Sequence, residues 1–358
     1  MDELFAHPQA RAALAQARGA SGESLNGGKA SAGEGRAAAS GRSARQAFSI
    51  AGPKRQSVPL VFASPHSGRD YPADFVARSR LDPASLRRSE DCFVDQLYSF
   101  APRLTGEESG APLLCALFPR AYVDPNREPY ELDPAMFEDA LPEYVNTRSP
   151  RVAAGLGTVA RVVAGGAEIY RGKLTFEEVR RRIELTYWPY HEALRGLLQQ
   201  TRESFGGCLL LDCHSMPSGV AATVAPNANP NPNGGASTNG GANGSGSGKR
   251  NSSMAGPAFV LGDCHGSACD RRIVEAAESF LKGAGYRVAR NQPYAGGFIT
   301  RHYGRPGDAV HALQIEINRA LYMNERRLEP NDGFKALQAD LKALSANLAE
   351  VCGSLFSK

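Results

Sequence analysis

A short apolar segment that ends in polar residues most constrains what this chain can fold into. Residues 208–211 are typical of a buried β-strand, and Asp212, His214 and Ser215 follow before Pro217 ends the run. In α/β proteins, ligands bind at the carboxyl ends of the strands, where a neutral imidazole is a ready metal ligand. The segment therefore predicts an α/β fold with a polar site at a strand end.

The same arrangement recurs in three further segments. In each of them an apolar stretch leads into, or carries, a residue of a catalytic or metal-binding type: His66 after 58–63, Arg120 after 113–118 and Glu316 within 309–317. Two histidines, an acid and an arginine at the ends of several strands indicate a metal-assisted hydrolytic site.

Strands and helices alternate between these segments. Helical periodicity predicts a helix that begins at Asp82 or Ser85 and ends at Phe100, and three more helices from residue 175, over 273–281 and from residue 334. Further short strands are predicted over 258–261 and 286–289. This alternation favours a mixed, mostly parallel sheet flanked by helices.

Two low-complexity stretches divide the chain. Residues 1–50 are rich in Ala, Gly, Ser and Arg, and residues 226–253 are nearly all Asn, Gly, Ser and Pro. Neither composition can bury enough apolar surface to fold. We therefore predict a disordered tail over 1–50 and a single catalytic domain over 51–358, with a flexible insertion at 226–253.

The net charge of +4 comes entirely from residues 1–57, which hold eight basic and four acidic residues. In the remainder, 33 basic and 33 acidic residues cancel, so no nucleic-acid partner is expected. No apolar run is long enough to span a membrane, and no secretory signal is recognisable at the start. The seven cysteines are odd in number and scattered, which suits a reducing compartment. We therefore expect a cytoplasmic protein that does not bind membranes.

Six segments resemble motifs of the N-formylglutamate amidohydrolase family. They occur in the family's order within residues 55–335 and read SPHSGR (64–69), EDCFVD (90–95), FPRAYVDPNR (118–127), DCHSMP (212–217), NQPYAGG (291–297) and QIEINR (314–319). The resemblance implies hydrolysis of N-formyl-L-glutamate to formate and L-glutamate, as the family does in histidine degradation. It also implies a three-layer α/β/α, phosphorylase/hydrolase-like fold similar to that of zinc carboxypeptidases and aspartoacylases.

The resemblance further implies a zinc ion held by His66 and His214. In the zinc carboxypeptidases the first metal motif is His-x-x-Glu, but here the fourth position is Arg69, so the acidic ligand must come from elsewhere. Asp91 is the predicted third ligand, and its neighbour Glu90 is the alternative. Two imidazoles and one carboxylate leave an open position on zinc, at which the pKa of water falls to about 7.

Glu316 is the predicted proton shuttle, which would take a proton from water and pass it to the leaving amine. Its apolar neighbours Ile315 and Ile317 are expected to raise its pKa. An ion pair with Arg319 is the alternative interpretation of Glu316.

Asp212 lies on the same strand face as His214 and is expected to orient that imidazole. A serine or cysteine nucleophile is less favoured. Ser215 lacks a Gly-x-Ser-x-Gly elbow, and both Ser215 and Cys213 should point away from the face of His214.

The substrate implied by the resemblance carries two carboxylates, which planar guanidinium groups bind well. Asn126 and Arg127 resemble the carboxypeptidase pair that holds a substrate carboxylate, and Arg120 is placed to polarise the scissile carbonyl. Arg319 either faces the second carboxylate or neutralises Glu316. We expect a small anionic N-acyl amino acid as the ligand. The alternatives are hydrolysis of another N-acyl amino acid, or a non-catalytic, metal-stabilised binding protein; the oligomeric state is not predicted.

Overall fold

The computed structural model of the chain describes residues 46–163, 165–223 and 256–357. Most of the predicted tail, up to residue 45, and the whole of the predicted insertion at 226–253 lie outside these ranges.

Eleven strands occur in the described residues. They are β1 (Phe48–Ala51), β2 (Arg55–Gln56), β3 (Leu60–Ser64), β4 (Ser109–Gly110), β5 (Leu113–Ala116), β6 (Cys208–Met216), β7 (Phe259–Gly262), β8 (Val288–Arg290), β9 (Val310–Asn318), β10 (Met323–Asn324) and β11 (Glu329–Pro330). Seven of them form one sheet in the order β1-β5-β3-β6-β9-β7-β8, and the other four form two small two-stranded sheets.

The large sheet is mixed and mostly parallel. The pairings β3–β5, β3–β6 and β6–β9 are parallel, and so is the pairing β7–β8. Only the β1–β5 and β7–β9 pairings are antiparallel. The sheet predicted from the sequence is therefore confirmed.

The helices of the described residues are α1 (Ala73–Arg78), α2 (Pro83–Arg87), α3 (Val94–Leu97), α4 (Pro150–Ala153), α5 (Phe176–Arg182), α6 (Trp188–Phe205), α7 (Ser218–Thr223), α8 (Arg271–Gly283), α9 (Phe298–Tyr303) and α10 (Phe334–Phe356). One π-helical turn, Ile183–Tyr187, joins α5 to α6. Within the described ranges, none of the helices combines the length and the apolar character needed to cross a membrane.

Apolar side chains bury both faces of the sheet, because successive residues of a strand point to opposite faces. Val61 of β3 belongs to a cluster that also contains Leu194 of α6. Its neighbour Leu60 belongs to a second cluster, which contains Ile273 of α8 and Leu341 of α10. Burial on both faces is typical of parallel sheets and explains the near-continuous apolar runs in these strands.

Strand β6 is longer than predicted. It continues to Met216, so Asp212 and His214 lie within the strand and not after its end. The reason is its pairing with β9, which holds the two strands together from Cys208 to Met216 and places His214 opposite Glu316. A ladder with a neighbouring strand therefore outweighs the polar composition of this segment.

The prediction of one helix that ends at Phe100 is wrong, because the chain forms two short helices, α2 and α3, with a loop between them. Asp82 caps α2, as expected, by accepting a hydrogen bond from the backbone N–H of Ser85. The loop leaves the helical path where the backbone N–H of Asp91 donates to the carbonyl of His66, and Phe93 then adopts a φ of 66°.

Strand β1 begins at Phe48, inside the predicted tail, because it pairs antiparallel with β5. The sheet therefore begins before residue 51, the predicted start of the domain.

Candidate active site

Two histidines and an aspartate meet at the carboxyl edge of the sheet. His66 follows β3, Asp91 lies in the loop between α2 and α3, and His214 lies near the end of β6. The Nδ1 atoms of His214 and His66 lie 3.0 and 3.4 Å from the same Asp91 oxygen, Oδ2. One ligand atom from each residue lies within 4.8 Å of the others, and all three side chains are buried. These residues can therefore hold a metal ion, as the sequence predicted.

A second carboxylate holds the other nitrogen of each imidazole. His66 Nε2 lies 2.8 Å from Asp124 Oδ1, and His214 Nε2 lies 2.9 Å from Asp212 Oδ1. A carboxylate that accepts from Nε2–H fixes both the tautomer and the orientation of the ring and leaves Nδ1 as the ligand atom. Both rings therefore present Nδ1 toward Asp91, in the arrangement common at protein metal sites.

One atom of this group, His66 Nδ1, gives the clearest indication that the group binds a cation. His66 Nδ1 is buried and makes no hydrogen bond to any of the residues that the structure describes. A buried nitrogen without a partner is costly, and a bound ion would satisfy it. The residues present therefore fit a divalent metal ion.

The charges of the group agree with this fit. Burial alone would lower the pKa of His214, but the charge of Asp212 and hydrogen bonds to Asp212 and Asp91 raise it well above its usual value. Burial likewise opposes ionisation of Asp91, yet the hydrogen bond from His214 and the nearby His66 imidazole hold its pKa well below the usual range. Asp91 is therefore an anion, and a metal ion would replace a proton on His214 Nδ1.

Glu90, the alternative acidic ligand, lies outside this group. Its carboxylate accepts hydrogen bonds from the Tyr71 hydroxyl, at 2.8 Å, and from Arg87 Nε, at 3.1 Å. The geometry therefore favours Asp91 over Glu90 as the third ligand.

Glu316 lies on β9 directly opposite His214. Its Oε1 accepts a hydrogen bond from Gln314 Nε2 at 3.0 Å. Burial raises the pKa of Glu316 to about 7, with the charge of His214 opposing this shift and that of Asp91 adding to it. The predicted alternative, an ion pair with Arg319, is absent among the described residues, since Arg319 pairs with Asp91. A buried carboxyl that titrates near neutral pH suits proton transfer.

Arg120 and Arg127 flank Asp124. Arg120 Nη2 donates to Asp124 Oδ2 at 2.7 Å. Arg127 donates from Nε to the carbonyl of Leu156 at 3.0 Å and from Nη1 to the carbonyl of Asn126 at 2.9 Å. These bonds fix both guanidinium groups against the wall of the site.

Arg319 is bound on several sides. Its Nε donates to Ser215 Oγ at 3.1 Å, and its Nη2 donates to the Glu90 carbonyl at 2.6 Å and to Asp91 Oδ1 at 3.0 Å. Its Nη1 lies 3.4 Å from the carbonyl of Arg88. The guanidinium therefore holds Asp91 in place, and Ser215 serves as one of its hydrogen-bond acceptors.

Asn126 is anchored to its neighbours. Its Oδ1 accepts from the backbone N–H of Ile299 at 2.8 Å, and its Nδ2 lies 3.1 Å from His214 Nε2. Gly297 is required beside it, because a Cβ atom at Gly297 would lie 2.3 Å from the Asn126 side chain. Substrate binding by Asn126 stays a prediction; its contacts here are with the protein.

All eight predicted site residues line one cavity of about 540 Å³: His66, Asp91, Arg120, Asn126, Arg127, His214, Glu316 and Arg319. Sequence reasoning assigned no role to three further residues of this site, namely Asp124, Arg88 and Arg151. Asp124 lies within the recognised segment 118–127, but no sequence spacing relates it to His66. Arg88 and Arg151 lie outside the recognised motifs, so no sequence signal distinguished them from surface arginines.

Comparisons with known proteins relate this chain to one enzyme family. A family model described as N-formylglutamate amidohydrolase matches residues 58–323. An N-formylglutamate deformylase of Pseudomonas aeruginosa is 31% identical over 277 residues, which cover 76% of this chain and 85% of that protein. One from Pseudomonas putida is 29% identical over 271 residues, covering 75% and 83% of the two chains. The crystal structure of an N-formylglutamate amidohydrolase from Ralstonia eutropha is 37% identical and covers 85% of this chain and 98% of its own, with a TM-score of 0.72.

Proposed function

The chain belongs to the N-formylglutamate amidohydrolase family, and from this premise we propose that it hydrolyses N-formyl-L-glutamate to formate and L-glutamate with the help of a metal ion. One observation carries the proposal. The group of His66, Asp91 and His214 shares a cavity with a buried carboxyl, Glu316, whose pKa is raised to about 7. A binding protein without catalytic activity has no need of such a carboxyl.

We propose zinc as the ion. Two imidazoles and one carboxylate are a donor set of catalytic zinc sites, whereas magnesium and calcium prefer oxygen ligands alone. When bound by His66, Asp91 and His214, the ion supplies Lewis acidity, which polarises a carbonyl and makes water nucleophilic near neutral pH.

Glu316 moves the proton in this proposal. It accepts a proton from water as the water oxygen forms a bond to the formyl carbon. It then gives that proton to the glutamate nitrogen as the C–N bond breaks, so that formate and the amine leave. A pKa near 7 suits both halves of this transfer.

The arginines bind and polarise the substrate. Arg120 is proposed to stabilise the negative charge that develops on the formyl oxygen, and Arg127 to bind a substrate carboxylate. Both roles are supported by the position of the two guanidinium groups in the wall of the cavity. Asn126 is proposed to support Arg127 through its backbone carbonyl, which accepts from Nη1 at 2.9 Å.

We also propose a single catalytic domain of three-layer α/β/α type, related to the zinc exopeptidases. The apolar clusters on both faces of the sheet support the layered arrangement. We further propose that the protein acts in the cytoplasm. The seven cysteines are free thiols, which supports a reducing compartment. Histidine degradation is the proposed pathway.

Formate release from the full chain tests the proposal. We expect turnover of N-formyl-L-glutamate that stops after chelation and returns when zinc is added back. A panel with N-acetylglutamate and N-formylalanine, assayed by the free amino acid that every member releases on hydrolysis, tests the alternative of a broader N-acyl amino-acid hydrolase. Metal binding without amino-acid release from any member of the panel would favour a binding protein instead.

A further inference from the structure

Arg319, the predicted partner of a second substrate carboxylate, is already occupied. Its donors bind Ser215, Asp91 and the backbone carbonyls of Glu90 and Arg88. Releasing it toward a substrate would leave the buried Asp91 without one of its cations, which is costly. The second carboxylate therefore needs a different cation on the same side of the cavity.

Arg88 meets this requirement. It follows α2, is exposed, and lines the cavity that contains the metal-binding group. Its backbone is fixed, because its N–H donates to the Ser85 carbonyl at 3.3 Å and its own carbonyl accepts from Arg319. Among the residues that the structure describes, its guanidinium makes neither a hydrogen bond nor an ion pair. The backbone of Arg88 is therefore fixed, while its guanidinium group is available to bind a ligand.

The shape of the cavity also favours Arg88. A second cavity of about 370 Å³ adjoins the first and shares Arg88, Pro217 and Arg319 with it. Arg88 therefore borders both cavities, and none of the three metal-binding residues lines the second one.

Arg151 is the natural comparison. It too is exposed and lines the catalytic cavity. It lies on the side of Arg127, however, since Leu156 donates its N–H to the Arg151 carbonyl and accepts at its own carbonyl from Arg127 Nε. If one carboxylate of the substrate binds Arg127, Arg151 lies beside that same carboxylate. Arg88 is then the cation left for the other carboxylate.

We propose that Arg88 binds the side-chain carboxylate of the substrate and so selects glutamate over glutamine; this rests on the proposed hydrolysis of N-formylglutamate. The amide of glutamine carries no charge, so it cannot form the charge-assisted pair with the guanidinium.

The test compares kcat/KM for N-formyl-L-glutamate and N-formyl-L-glutamine. We expect the wild-type enzyme to prefer the glutamate derivative by about tenfold to a hundredfold, the scale of a hydrogen bond to a charged group. Arg88→Gln should lose that preference by slowing the glutamate derivative alone, and Arg88→Lys should keep part of it. Arg151→Gln, the matched control, should keep the wild-type ratio.

Two outcomes overturn the role of Arg88 alone. One is an unchanged ratio in Arg88→Gln, whether or not both rates fall, and the other is a lost preference in Arg151→Gln instead. Formate release from neither substrate by the wild-type enzyme would overturn the proposed function as well. Melting temperature and metal content, expected to be unchanged in all variants, exclude an effect on folding.

Discussion

Two buried histidines of this protein have opposite environments. His214 lies between two carboxylates, with Asp91 at Nδ1 and Asp212 at Nε2, and its pKa is raised well above the usual value. His191 on α6 lies between the carbonyl of Pro125 and the hydroxyl of Tyr303, each at 2.9 Å. There burial lowers the pKa to about 3, so His191 is neutral.

The difference shows that the partners of a histidine decide its role. Carboxylates on both nitrogens favour a positive charge at His214, which a metal ion can supply in place of a proton. Neutral partners leave burial as the dominant effect on His191, so this ring supports structure. It holds Pro125, which lies between Asp124 and Asn126 in the wall of the active site.

The largest expected effect distinguishes the two histidines by metal content. His214→Ala, like His66→Ala, should lose the metal ion and all measurable formate release, because two remaining ligands bind zinc poorly. His191→Gln is the control and should keep one equivalent of metal. Metal analysis of the purified variants checks this. Full metal content in either alanine variant would contradict the assignment of the ligands.

Glu316→Gln should leave the metal-binding group intact but remove the proton acceptor. We expect kcat to fall by about two to four orders of magnitude, the range for general acid–base groups, with metal content and KM little changed. Single-turnover formate release measures the effect. A kcat within a few-fold of wild type would reduce Glu316 to a structural role.

Asp124→Asn would give His66 a neutral partner of the kind that His191 has. The amide is a weaker acceptor for Nε2–H, so we expect metal affinity or activity to fall by about tenfold to a hundredfold. Competition with a coloured zinc chelator gives the affinity. Unchanged affinity in this variant would mean that the carboxylate next to His66 is not what prepares the ring for metal.

The remaining difference between the two histidines concerns stability and not activity. Above pH 6.5, the usual pKa of a histidine in an unfolded chain, His191 is neutral in both the folded and the unfolded state. Below that pH the unfolded state binds a proton that the folded state does not, and this favours unfolding. Stability should therefore fall by about 1.4 kcal/mol for each pH unit below 6.5, until the folded pKa of about 3 is reached. In His191→Gln this contribution should be missing. Urea unfolding of both proteins at pH 5.0 and 7.0 measures the difference, and equal pH dependence would contradict it.

Much of the fold was predictable, because it depends on local patterns. Apolar runs located the central strands, and the helix starts predicted at Asp82 or Ser85 and at residue 175 coincide with the side-chain caps Asp82 and Thr175 of the structure. The break before α3 was not predictable. It depends on a hydrogen bond from Asp91 to the distant carbonyl of His66 and on the left-handed backbone of Phe93.

By itself, the sequence determined the residue types of the site and the strand ends that bring them together, since parallel strands deliver their carboxyl ends to one edge. Only the tertiary structure decided which charges meet. It paired His66 with Asp124 and turned Arg319 toward Asp91 instead of Glu316. These pairings join residues far apart in the chain, so local sequence patterns do not predict them. Burial of an unpaired charge is costly in free energy, and the partner of each buried charge is therefore set by the element that packs against it.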